Sequence, residues 1–107
     1  MSSPNPRNVP KYGAASIAFN RKVKNGDVDA SSNQAFRNAA RTHYDEWGLS
    51  RASAERHMDN KDAGHIVAKN KGGKNTASNY MWEDRSDNRA HGDTRIRASQ
   101  ERAAGRR

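Results

Sequence analysis

The chain reads as an α+β protein, with a helical N-terminal half packed on a C-terminal unit made of a β-hairpin and a helix. Three observations predict this. Apolar residues recur at three- and four-residue intervals between positions 33 and 47, the stripe of a helix laid on a core. Two short segments with strand character, 64–68 (Gly-His-Ile-Val-Ala) and 79–83 (Asn-Tyr-Met-Trp-Glu), flank a loop rich in glycine and lysine. Beyond the second segment, Asp84 and Ser86 offer cap oxygens to a final helix.

The elements follow in chain order. Residues 1–12 hold all three prolines (Pro4, Pro6, Pro10) and read as an extended basic arm. A first helix is predicted over 13–24, with Ala14, Ile17 and Ala18 on one side and Asn25-Gly26 as its stop. Ser31-Ser32-Asn33 supply cap oxygens for the helix over 33–47, whose stripe is Phe36, Ala39, Ala40, His43, Tyr44 and Trp47. Gly48 ends it, and Ser50 caps a short helix over 50–58. His43 and His57 belong to helix packing or surface, not to chemistry. The loop 69–75 carries Lys69, Lys71 and Lys74, with Gly72 and Gly73 expected at positive φ. Tyr80 and Trp82 alternate with Met81, so one face of the second strand is core. The last helix is expected from about residue 86 towards Ala104, with a break at Gly92, before a short basic tail, Gly105-Arg106-Arg107. The organisation is an arm (1–12), a helical region (13–60) and the hairpin-and-helix unit (61–107), in a single domain.

Charge and composition narrow the function. The chain has 107 residues and a net charge of +8, and its mean hydropathy is −1.27. So polar a chain buries a small core, which a bound metal, a partner or a dimer would reinforce; the oligomeric state stays open. There is no cysteine, hence no disulfide and no thiolate metal site. No run of 18 apolar residues is present, and the N-terminus lacks the apolar stretch of a secretory signal. The expectation is a protein that acts where it is made, or is packaged or delivered by other machinery. Its positive charge points to a polyanion. Nucleic acid fits better than a membrane surface, because no segment has the broad apolar face of an interfacial helix.

The chemistry concentrates in residues 62–93. A histidine, His65, lies in the first strand, and Asn88, Asp87 and His91 lie on the following helix. This suits phosphodiester hydrolysis. A neutral imidazole on a rigid strand can take a proton from water. Oxygen ligands on a facing helix can hold a divalent cation that neutralises the scissile phosphate. Arg85 or Arg89 can clamp the phosphate, and Lys69, Lys71 and Lys74 can hold the nucleic-acid backbone.

The segment resembles the HNH, or ββα-metal, endonucleases. Gly72 and Gly73 follow His65 by seven and eight residues, Asn79 by 14 and Asn88 by 23, the spacings of that family's motif. The resemblance covers 32 of the 107 residues. It implies His65 as general base, Asn79 as the residue that holds the loop, Asn88 as metal ligand and Mg²⁺ or Mn²⁺ as cofactor. Where many members carry an acidic residue or histidine directly before the base, this chain has Gly64. The run Asp62-Ala63-Gly64-His65 is similar instead to the Asp-Arg-Gly-His signature of the non-specific nucleases of this type. Asp62, Asp87 and His91 are all candidates for a second ligand. The function implied is a metal-dependent endonuclease of low sequence specificity, acting on DNA in preference to RNA. The alternative is a weakly active or inactive nucleic-acid-binding or packaging protein on the same scaffold.

Overall fold

In the computed structural model, which describes residues 12–107, the protein is α+β. Helices α1 (Ala14–Lys24), α2 (Asn33–Trp47) and α3 (Arg51–Asn60) come first, followed by strands β1 (Lys61–His65) and β2 (Tyr80–Asp84) and helices α4 (Arg85–His91) and α5 (Ala98–Ala103). The caps are those the sequence offers. Ser32 accepts from the Ala35 amide, Ser50 from Ser53 and Asp84 from Ser86, each satisfying one of the orphan donors of a first turn. The expected N-terminal arm lies outside the described residues, apart from Tyr12.

β1 and β2 form an antiparallel hairpin in which Asp62 faces Glu83, Gly64 faces Met81 and His65 faces Tyr80. Alternation along the strands gives the hairpin two different faces. Tyr80 and Trp82 enter the helical core, where their rings meet Phe36 at 5.2 and 6.1 Å and Trp82 meets Phe19 at 6.2 Å. Each fully buried apolar side chain of this size contributes ~1.5–3 kcal/mol, and this is where the small core gains most. Met81, on the opposite face, packs in a smaller cluster with Ile66, Ile96 and Ala104. Asp62 and Glu83 share that second face, which α4 covers. Both faces of the hairpin are thus packed: His65, opposite Tyr80, lies at the end of the face that enters the helical core, while Asp62 and Glu83 bring polar groups to the face under α4.

Buried polar groups tie these layers together. The Asn20 amide donates to the Trp82 and Ala104 carbonyls and accepts from the Trp82 amide, which satisfies the outer edge of β2 with a side chain in place of a third strand. The Tyr44 hydroxyl accepts from the Trp82 indole at 2.6 Å and bonds Ser16 at 2.8 Å.

One expectation is corrected. The first strand lies at 61–65, not 64–68: the β-branched pair Ile66-Val67 sits where the chain turns, and the Val67 backbone is taken by the Asn79 side chain. The break expected at Gly92 is present: with φ 53° and ψ −121° the chain leaves the helical path there, Ile96 donates to the Ile66 carbonyl, and a helix resumes at Ala98. The short basic C-terminus is tied down, since the Arg106 guanidinium donates to the Ser78 and Tyr80 carbonyls at 2.8 and 3.1 Å.

Candidate active site

β1, the loop after it and α4 enclose an open cleft of about 380 Å³. His65 and Asn88 both line it, as do His91, Lys69 and Asn70. His65 ends β1, and its Nε2 lies 2.8 Å from Asn75 Oδ1. An amide oxygen only accepts, so Nε2 carries the proton and Nδ1 remains as the basic atom of the neutral ring. The Tyr80 hydroxyl donates to the same oxygen at 3.4 Å, and its ring lies 4.9 Å from the imidazole.

Asn79 holds the loop that carries Asn75. Its Oδ1 accepts from the Val67 amide at 2.9 Å, and its Nδ2 donates to the Val67 and Lys74 carbonyls at 3.0 Å. This is the structural role expected of it, and it does not line the cleft. The two glycines serve different ends. Gly72 has a φ of 89°, whereas at Gly73 a Cβ would overlap the Val67 carbonyl, so close backbone approach decides the second.

On the facing wall, Asp62 organises α4. Its Oδ2 accepts from Asn88 Nδ2 at 3.1 Å, and its Oδ1 pairs with Arg85 Nε at 3.2 Å. Asn88 Nδ2 is thereby engaged, which leaves Oδ1 as the amide atom available to the cleft. Neither arginine lines the cleft: Arg85 is tied to Asn88 through this shared carboxylate, and Arg89 is exposed.

The other proposed ligands are occupied differently. Asp87 turns away from the cleft and accepts from the Tyr12 hydroxyl at 3.2 Å. Both nitrogens of His91 meet oxygen, Nδ1 at the Gly92 carbonyl (2.9 Å) and Nε2 at the Glu83 carboxyl (2.9 and 3.0 Å), so the ring as placed offers no nitrogen to a cation. Of the three lysines only Lys69 lines the cleft; Lys71 and Lys74 are exposed along the loop.

The residues that sequence reasoning missed are Asn75, Glu83 and Gln100. Glu83 is fully buried, and burial pushes its carboxyl above the usual range, with His91 and Gln100 pulling it back. Gln100 Nε2 donates to it at 2.7 Å. Glu83 also explains Gly64: a Cβ there would overlap Glu83 Oε1. The space that a side chain before the histidine would fill is taken by a carboxylate from the neighbouring strand. The one signal available was an acid set among the apolar residues of a strand and diagonal to a glycine.

The donor set can be weighed against a divalent cation. One neutral amide oxygen steadied by Asp62, with the Asp93 carboxylate also lining the cleft and accepting from Asn70 at 3.1 Å, suits a hard ion that keeps most of its water shell, as Mg²⁺ does. Among the described residues no three His, Cys, Asp or Glu side chains gather into a fuller cage. No helix of the described residues is long and apolar enough to cross a membrane. No protein-family model, curated protein or solved structure matches the chain.

Proposed function

We propose that the protein is a metal-dependent endonuclease that hydrolyses phosphodiester bonds of nucleic acid, DNA above RNA, with little sequence specificity. The observation that carries this reading is the pairing across one cleft of a histidine with a defined tautomer and an asparagine whose amide is held by a carboxylate. His65 Nδ1 takes a proton from a water molecule, whose oxygen forms the new bond to phosphorus as the bond to the leaving oxygen breaks. Asn75 keeps the ring oriented and its Nε2 protonated throughout. Asn88 Oδ1 is the atom that would hold Mg²⁺ or Mn²⁺, and the cation when bound supplies neutralisation of the phosphate and of the leaving oxygen. Asp62 keeps that amide turned towards the cleft and holds Arg85 near the phosphate's position. Lys69 adds charge at the rim. Fixed dipoles and charges of this kind commonly supply the larger part of such a rate enhancement.

Plasmid nicking with Mg²⁺ tests it. The parent should cut, EDTA should abolish cutting, and His65→Ala should lower the rate by about two to four orders of magnitude with DNA binding retained. A parent that binds DNA tightly yet cuts with none of Mg²⁺, Mn²⁺ and Ni²⁺ is an inert binder, and the reading fails.

A further inference from the structure

A second cavity, of about 520 Å³, lies beside the cleft, and His91 lines both. Its wall is built from one face of α4, the turn after it and α5, together with the Tyr12 side chain. Besides the His91 ring it presents Arg95, Arg97, Thr94 and Ser99, and one carboxylate, Asp87. The acidic groups near it are already engaged: Asp87 accepts from Tyr12, Glu83 from Gln100, and Glu101 pairs with Arg95 at 3.3 Å. Arg97 is exposed, and among the described residues no carboxylate pairs with it. A planar guanidinium with free donors, in a cavity that two hydroxyl side chains also line, is suited to two oxygens of one phosphate.

We infer that this cavity is a second phosphate-binding subsite, which takes the backbone phosphate of a nucleotide neighbouring the one held in the cleft. The substrate strand then runs from Lys69, past His65 and Asn88, over His91 and on to Arg97. The inference rests on the reading of the cleft as a nucleic-acid site, but not on turnover there. The ligand chemistry, a sugar-phosphate backbone, is shared by DNA and RNA.

The test is equilibrium binding in EDTA, where nothing is cut, by fluorescence anisotropy of a labelled single-stranded 10-mer in DNA and RNA form over a salt series. Arg97→Gln should weaken binding roughly tenfold, the usual worth of a hydrogen-bonded charge. It should also lower the slope of log affinity against log salt by about 0.7, one phosphate contact on a single strand. Arg51→Gln, on the exposed start of α3, is the control for loss of a charge anywhere, and Arg97→Lys should keep the slope while losing part of the affinity. A loss specific to Arg97→Gln on either strand type supports the subsite and assigns its source. Arg97→Gln behaving as Arg51→Gln on both strands, or a parent that binds neither, overturns it. Cleavage is scored separately, so a protein that binds through Arg97 but does not cut refutes the nuclease reading and leaves the subsite standing.

Discussion

Asp62 does at the scale of one side chain what the site most depends on. Each of its oxygens serves a different residue of α4, Asn88 and Arg85, while the carboxylate itself does not line the cleft. The aspartate is thus a positioning residue, and its removal should act through Asn88. Asp62→Ala is expected to weaken Mn²⁺ binding, measured by calorimetry, by about ten- to a hundred-fold, the usual effect of losing a group that orients a ligand. Asp62→Asn, which keeps an acceptor oxygen, should recover part of the loss, and His65→Ala should leave Mn²⁺ affinity near that of the parent. Unchanged affinity in Asp62→Ala would show that the amide needs no such support. The spacing of Asp62, His65 and Asn88 pointed to these residues in the sequence. What it could not give was the division of labour, because Asp62, Asp87 and His91 look equally eligible until their partners are known. Asn75 and Glu83 were invisible for the same reason: one matters through a residue ten positions away, the other through a helix and a strand that the chain brings together only on folding.

Among the elements, the loop between the strands stands out, since one side chain ties its two ends together in addition to its own backbone turns. Asn79 closes it with three bonds, two of them to Val67, two residues beyond His65. Asn79→Ala leaves those backbone groups to water and should cost ~1–3 kcal/mol in urea unfolding. More diagnostic is hydrogen exchange at the Val67 amide, which should accelerate well beyond the global loss of protection, with cleavage falling because His65 and Asn75 no longer meet. Val67 protection that tracks only global stability would mean the loop holds without Asn79. The helices were legible because their signals are local: Ser32, Ser50 and Asp84 cap where the sequence offers them, and the stripe from Phe36 to Tyr44 repeats at the helical period. β1 was displaced by three residues because its pairing is decided elsewhere. Lys61 and Asp62 have no strand character alone; they become a strand because Asp84 and Glu83 lie opposite them and the core holds Trp82.

Over the whole molecule, buried titratable groups of opposite tendency set the response to acid. His43 and His57 are buried in the helical half, and burial lowers both from the ordinary imidazole value of 6.5. The His43 ring meets the Ala15 carbonyl at 2.9 Å, and His57 lies 5.2 Å from the Tyr44 ring, close to the Lys61 and Arg56 charges that oppose its protonation. Well above pH 6.5 both histidines are neutral, folded or not. As the pH drops below 6.5 the unfolded chain binds protons that the folded chain does not, so stability falls. Glu83 acts in the opposite sense. Its carboxyl is raised from 4.5, so between that value and its folded one the folded chain keeps a proton that the unfolded chain has released. The stability this gives is present below pH 4.5 and is lost as the pH rises through the folded value. Two histidines against one glutamate predict a melting temperature that declines from pH 7 to pH 5, and declines more steeply once the glutamate's contribution is removed. Glu83→Gln does this with little change of shape, its amide able to donate to His91 while its oxygen still accepts from Gln100. The measurement is thermal unfolding by circular dichroism at half-unit steps from pH 8 to pH 5, at one ionic strength. A Glu83→Gln profile parallel to the parent's would mean Glu83 does not keep its proton in this window, and a melting temperature flat or rising towards pH 5 in both would mean that neither buried histidine resists protonation.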